Sequence, residues 1–153
     1  TPPPTRELAE APSPEPAPGW SWASPDTDGP LLQPTVLFVE EDELARRIGV
    51  RMLTFLGWNV LCAYSCHDAI TRYRRNRRTI DCVLLSEDLK GMQGFEVIRR
   101  IRRIDRTARF VVAGDLEEPP DWSRDGGQDW QSYLQRPYVL PELRSALDNA
   151  LMS

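Results

Sequence analysis

Val36-Leu37-Phe38-Val39-Glu40-Glu41 is the stretch that decides the fold. Four consecutive apolar residues closed by two acids match a parallel strand buried on both faces, with polar side chains emerging where the strand leaves the core. The next segment places Leu44, Ile48, Met52, Phe55 and Leu56 at helical spacing and stops at Gly57, which predicts a helix. Asn59 to Ala63 is a less apolar run, and so predicts a second strand at a sheet edge. Ser65 is placed to cap a helix that turns Ala69, Ile70 and Tyr73 inward.

The alternation continues to the end of the chain. Ile80 to Leu85 predicts a third strand, and a loop through Gly91 and Gly94 leads to a helix with Phe95, Val97, Ile98, Ile101 and Ile104. Phe110 to Val112 predicts a fourth strand. Between Asp115 and Asp129 the pattern fails, because Pro119-Pro120, Gly126-Gly127 and six acids leave little room for a helix. A short fifth strand is expected near Tyr133 and Leu134. A last helix then begins at Leu140-Pro141, with Leu143, Leu147, Ala150 and Leu151 on one face. The predicted fold class is therefore α/β: a doubly wound five-stranded parallel sheet whose fourth helix is short or disrupted.

Composition sets the limits of that domain. Ten of the fourteen prolines lie in residues 1–34, and Trp20 and Trp22 are the only large anchors there. Such a stretch buries too little surface to offset its ordering entropy, so residues 1–33 are expected to be a disordered linker or tail and residues 34–153 the folded domain. The net charge of −4 belongs to that lead; the remainder has eighteen basic and eighteen acidic residues. No apolar run is long enough for a membrane helix and the start lacks signal-peptide order, so a cytoplasmic domain is expected. Cys62, Cys66 and Cys82 are odd in number and interleaved with core residues, which reads as reduced cysteine. His67 is the only histidine, so no metal or other cofactor site is expected.

In parallel sheets of this kind, sites form outside the carboxyl ends of the strands. Here the first strand ends in Glu40-Glu41, the third in Ser86 and the fourth in Ala113-Gly114, and the fifth runs into Tyr133-Leu134-Gln135-Arg136-Pro137. With Gly91-Met92-Gln93-Gly94-Phe95-Glu96-Val97, these motifs make residues 34–153 resemble the receiver domain of bacterial response regulators, a flavodoxin-like fold. The resemblance implies an aspartate after the third strand that accepts phosphate and a divalent cation held with an acidic pair. It also implies a hydroxyl after the fourth strand and a lysine after the fifth.

Against that pattern, Glu40 and Glu41 keep the acidic pair, Ser86 stands at the acceptor position, Ala113 lacks the hydroxyl, and Arg136 replaces a point charge by a planar fork. These five residues are expected to form a degenerate phosphorylation pocket closed by an ion pair, with no metal and no catalytic residue. Glu87 is expected to point away from the pocket, and Asp88 is the one alternative acceptor. The resemblance thus extends to pseudo-receivers, interaction modules that end hybrid sensor kinases and dock on the parent kinase. The overall form is similar to the C-terminal domain of the cyanobacterial circadian input kinase family, CikA. That likeness implies binding of the clock protein KaiB, and of quinones. The partner edge would then be Asn59, Val60, Leu61, Cys62 and Ala63, with Ile48 and Arg51 of the first helix. An edge strand offers unpaired backbone groups to a partner, which agrees independently.

Arginines crowd two segments, from Arg72 to Arg78 and from Arg99 to Arg109. Anionic partners or nucleic acid are the alternative they raise. Helix C-termini favour cations, however, and alternation with Ile98, Ile101 and Ile104 is that of a solvated face, so nucleic acid is not expected.

Overall fold

The computed structural model describes residues 33–87, 89–122 and 130–152. The proline-rich lead with Trp20 and Trp22, the alternative acceptor Asp88, and residues 123–129 of the acidic stretch lie outside the described residues. The strands are β1 (Thr35–Val39), β2 (Asn59–Ala63), β3 (Cys82–Ser86), β4 (Phe110–Gly114) and β5 (Ser132–Gln135). The helices are α1 (Glu43–Phe55), α2 (Cys66–Asn76), α3 (Gly94–Ile104) and α4 (Leu140–Met152). All pairings are parallel and the sheet order is β2-β1-β3-β4-β5, so β2 is an edge strand.

Alternation along each strand divides the core between two faces. Leu37, Val39, Val83, Leu85, Phe110 and Val112 pack against α2 and α3. Val36, Phe38, Leu84, Val111, Ala113 and Leu134 pack against α1 and α4. Continuous apolar runs are required because both faces are covered. The caps follow the sequence: Asp42 accepts from the Ala45 N–H at 2.8 Å, and Ser65 accepts from the Asp68 N–H at 3.0 Å. Gly57 takes φ +95° just after α1, a conformation in which a side chain would be strained.

The structure sets the phase of α1. Leu44, Ile48 and Phe55, apolar at helical spacing, are 65%, 52% and 61% exposed, while Gly49 and Leu53 are buried. Ala45, Gly49, Met52, Leu53 and Leu56 form the inner ridge instead. The helix is apolar on two adjacent stripes, and the hydrophobic pattern gives no weight to glycine, although Gly49 is the residue that comes closest to the sheet. Leu44→Glu and Ile48→Glu are accordingly expected to leave thermal stability within about 0.5 kcal/mol of wild type, as for ordinary surface changes. A loss of several kcal/mol in urea unfolding would show that these side chains pack inward.

Among the described residues, none between β4 and β5 is helical. Trp122, in the stretch where the helical pattern fails, is buried at 8% exposure and its ring meets Phe95 at 6.0 Å. Trp130 packs beside Tyr133 at 6.3 Å. The two indoles cover part of the α3 side of the sheet.

Candidate functional site

β3 delivers Ser86 to the carboxyl end of the sheet, directly beside Ala113 in the register of β4. The side chain of Ser86 falls on the α1 and α4 side, two residues beyond Leu84. Glu40, the first residue after β1, reaches the same place because β1 and β3 are neighbours. Ser86 is 3% exposed and Glu40 8%. The Ser86 Oγ–H donates to Glu40 Oε1 at 3.0 Å, and Arg136 Nη1 donates to Ser86 Oγ at 3.0 Å. Arg136 also lies 3.7 Å from Glu40 Oε1 and donates through Nε to Asp115 Oδ1 at 3.0 Å.

The structure therefore joins Glu40, Ser86 and Arg136 in one network, with Ala113 as its apolar wall. Glu41 is not a member: its Oε1 accepts from the Lys90 N–H at 2.9 Å. Asp115 was missed by sequence reasoning, which assigned it to the start of a loop. Its signal was position, one residue past β4 and level with Arg136 across the sheet end. The Asp115 arm is the weaker, because that side chain is 72% exposed and its pair is screened by water. Glu40 has a further partner in the Asp42 N–H at 3.2 Å, and Arg46 Nη1 donates to the carbonyls of Glu40 and Glu41 at 3.0 and 3.3 Å.

Glu87 faces the opposite side of the sheet. A Cβ on Gly114 would collide with its carboxylate, and would come within 2.6 Å of the Tyr133 hydroxyl. Burial, and then the Glu87 charge, push the Tyr133 phenol above its ordinary range. Tyr133 donates to the Leu116 carbonyl at 2.8 Å. On the other side, burial and then Glu40 raise the Tyr138 phenol.

A receiver's divalent cation does not fit these side chains. Glu40 Oε1 is taken by a hydroxyl and faced by a guanidinium, Glu41 Oε1 is taken by the Lys90 N–H, and a hard cation needs several free oxygens. Among the described residues no three His, Cys, Asp or Glu side chains gather as a metal site would require. The Ser86 hydroxyl does have a neighbouring carboxylate, which sequence reasoning had not foreseen. A carboxylate is a very weak base toward an alcohol, and the guanidinium that would meet an incoming phosphoryl group is already bonded to Ser86.

Beside the network runs an apolar groove of about 370 Å³, lined by Ala45, Ile48, Gly49, Met52, Pro137 and Tyr138. Ile48 is also exposed, as are Leu44 and Val139, next in the chain to the lining residues Ala45 and Tyr138. Of the partner edge anticipated from sequence, Asn59 is exposed, Val60, Leu61 and Cys62 are half-buried and Ala63 is buried. Arg51 is exposed on α1. Burial raises the thiols of Cys62, Cys66 and Cys82, the last to about 12, so none is poised as a thiolate.

A family model described as the response regulator receiver domain matches residues 36–148. The transcriptional regulatory protein AfsQ1 of Streptomyces coelicolor is 38% identical over 73 residues, which is 48% of this chain and 32% of that protein. The autoinducer 1 sensor kinase/phosphatase LuxN of Vibrio campbellii is 29% identical over 119 residues, which is 77% of this chain and 14% of LuxN. The chain thus spans a third or less of these relatives. A response regulator receiver domain protein from Clostridium thermocellum has the same fold, with a TM-score of 0.71 at 18% identity over 78% of this chain and 94% of that one. No helix among the described residues is long and apolar enough to cross a membrane. With the sheet order of that fold, polar residues at its strand ends and a model matched across most of its length, the chain belongs to the response regulator receiver domain family.

Proposed function

We propose that residues 34–153 act as a pseudo-receiver, a protein-interaction and regulatory module of two-component signalling that works without phosphorylation. The observation that carries this is the Ser86 hydroxyl held between Glu40 Oε1 and Arg136 Nη1, each at 3.0 Å. A phosphoacceptor must be free to attack and must have a cation beside it to neutralise the oxygens it gathers. Here the acceptor position is an alcohol, the cation position faces a guanidinium, and Ala113 offers no hydroxyl to a bound phosphoryl group.

The docking surface we assign is the outward stripe of α1 with the adjoining groove. Leu44 and Ile48 expose apolar area there, Ile48 lines the groove itself, and Arg51 follows Ile48 along α1. Large exposed apolar side chains on a helix beside an apolar groove are the usual marks of a protein contact. A sensor kinase, parent or partner, is the proposed occupant, and the likeness to LuxN supports that class. KaiB and quinone remain expectations of the resemblance to circadian input kinases, and the proposal stands without either.

Incubation with a small acyl phosphate donor and Mg²⁺, followed by intact mass, tests the central point. No added phosphate is expected, and beryllofluoride with Mg²⁺ is expected to leave the amide spectrum unchanged. A phosphate adduct, whether on Ser86 or on a carboxylate, would sink the pseudo-receiver reading.

A further inference from the structure

We propose that the end of the domain opposite Ser86 is a surface for the phosphate backbone of double-stranded nucleic acid. α2 and α3 pack side by side on one face of the sheet and run back against the strands, so both carboxyl ends lie at the edge where the strands begin. The Tyr73 hydroxyl donates to Asp105 Oδ2 at 2.7 Å and ties the last turn of α2 to the end of α3. Around this link stand Arg74, Arg75, Arg77, Arg78, Arg103 and Arg106, all exposed. Among the described residues none of the six makes a direct ion pair or side-chain hydrogen bond, although the charge of Arg77 is near enough to help hold the Asp105 carboxyl low.

Their neighbours are committed elsewhere. Arg72 pairs with Asp68, and Arg99 and Arg100 pair with Glu96. Arg102 donates to the Ala108 carbonyl and lies 5.1 Å over the Phe110 ring. The carboxylates at this end are also engaged: Asp81 accepts from the Thr35 N–H, and Asp105 from Tyr73 and Thr107. A helix dipole accounts for a cation or two in each last turn. Six exposed guanidiniums gathered at one pole, against the two carboxylates of Asp81 and Asp105, exceed that.

The chemistry of the patch selects its partner. Protein interfaces centre on aromatic or aliphatic anchors. The exposed large apolar residues are Leu44, Ile48, Phe55, Tyr64, Leu116, Val139 and Met152, and none lies on α2 or α3. A surface of forked donors without apolar anchors suits phosphate oxygens. No exposed aromatic of α2 or α3 offers a stacking platform, which favours duplex over single strand. Among the described residues no element projects from this pole to enter a groove, so the surface reads backbone and not sequence.

Fluorescence anisotropy of the full chain with short labelled duplexes of unrelated sequence tests this. Binding is expected at low salt, equal across sequences, with log affinity falling against log salt at a slope of about −3 to −5. Arg74→Gln/Arg75→Gln/Arg78→Gln should flatten the slope by about 1 for each phosphate left without its guanidinium and weaken binding at least about tenfold. Arg144→Gln, on the exposed side of α4, should change neither. The proposal falls if wild type does not bind duplex at low salt, or if the triple variant binds like wild type. It falls equally if polyglutamate competes as well as duplex does, an outcome that would reassign the pole to acidic protein segments.

Discussion

Arg136→Leu is expected to destabilise the domain by about 3 kcal/mol, the scale of a buried pair broken from one side. The reason is what it leaves behind. Glu40 keeps its bonds from Ser86 and the Asp42 N–H, but its charge stays in a pocket where only 8% of the residue meets water, now without a cation. The Ser86 oxygen also loses its donor. A cycle with Glu40→Leu separates this from a change in packing: the double variant should be more stable than Arg136→Leu alone, with a coupling of about 1–3 kcal/mol. Urea unfolding measures all four proteins. Additive losses would mean that the guanidinium packs in the pocket without closing it.

The second large effect is expected at Gly49. A glycine inside a helix costs about 1 kcal/mol relative to alanine, so Gly49→Ala on a free surface would stabilise α1. Here the ring of Phe38 fills the space. A Cβ at Gly49 would fall inside contact distance of Phe38 Cζ and Cε2, with Cε1 at 3.5 Å, and Phe38 is only 3% exposed. Gly49→Ala is therefore expected to lose about 1–3 kcal/mol net, as overpacked cores do. Phe38→Leu in the same chain should recover part of that loss. A stabilised Gly49→Ala would instead show that α1 does not approach β1 here, and would remove the groove that Gly49 helps to line.

These two sites show where sequence was legible and where it was not. Val36 to Val39 and Cys82 to Leu85 announce themselves because a strand covered on both faces must be apolar at every position. Asp42, Ser65 and Gly57 mark helix ends through bonds and dihedrals that span only a few residues. The edge position of β2 followed from its weaker apolarity. Such signals are local, and local chemistry is what a single sequence carries.

Side-chain meetings across the sheet are different. Which stripe of α1 turns inward depends on Phe38, eleven residues away, and on how closely a glycine lets the helix approach. Asp115 joins Arg136 only because β4 and β5 are neighbours in register. Trp122 looks like a loop residue among acids until Gly94 and Phe95 are brought beneath it. The six arginines read as two solvated helix ends until the Tyr73–Asp105 bond sets those ends together. The sequence by itself determined an alternating α/β chain of receiver type, with serine, alanine and arginine at three of the positions where phosphate chemistry would be done. Only the tertiary structure decided that Ser86 is held between a carboxylate and a guanidinium. Those two bonds join residues 46 and 50 positions apart, and meetings at such separations are set by strand order and register rather than by any local pattern.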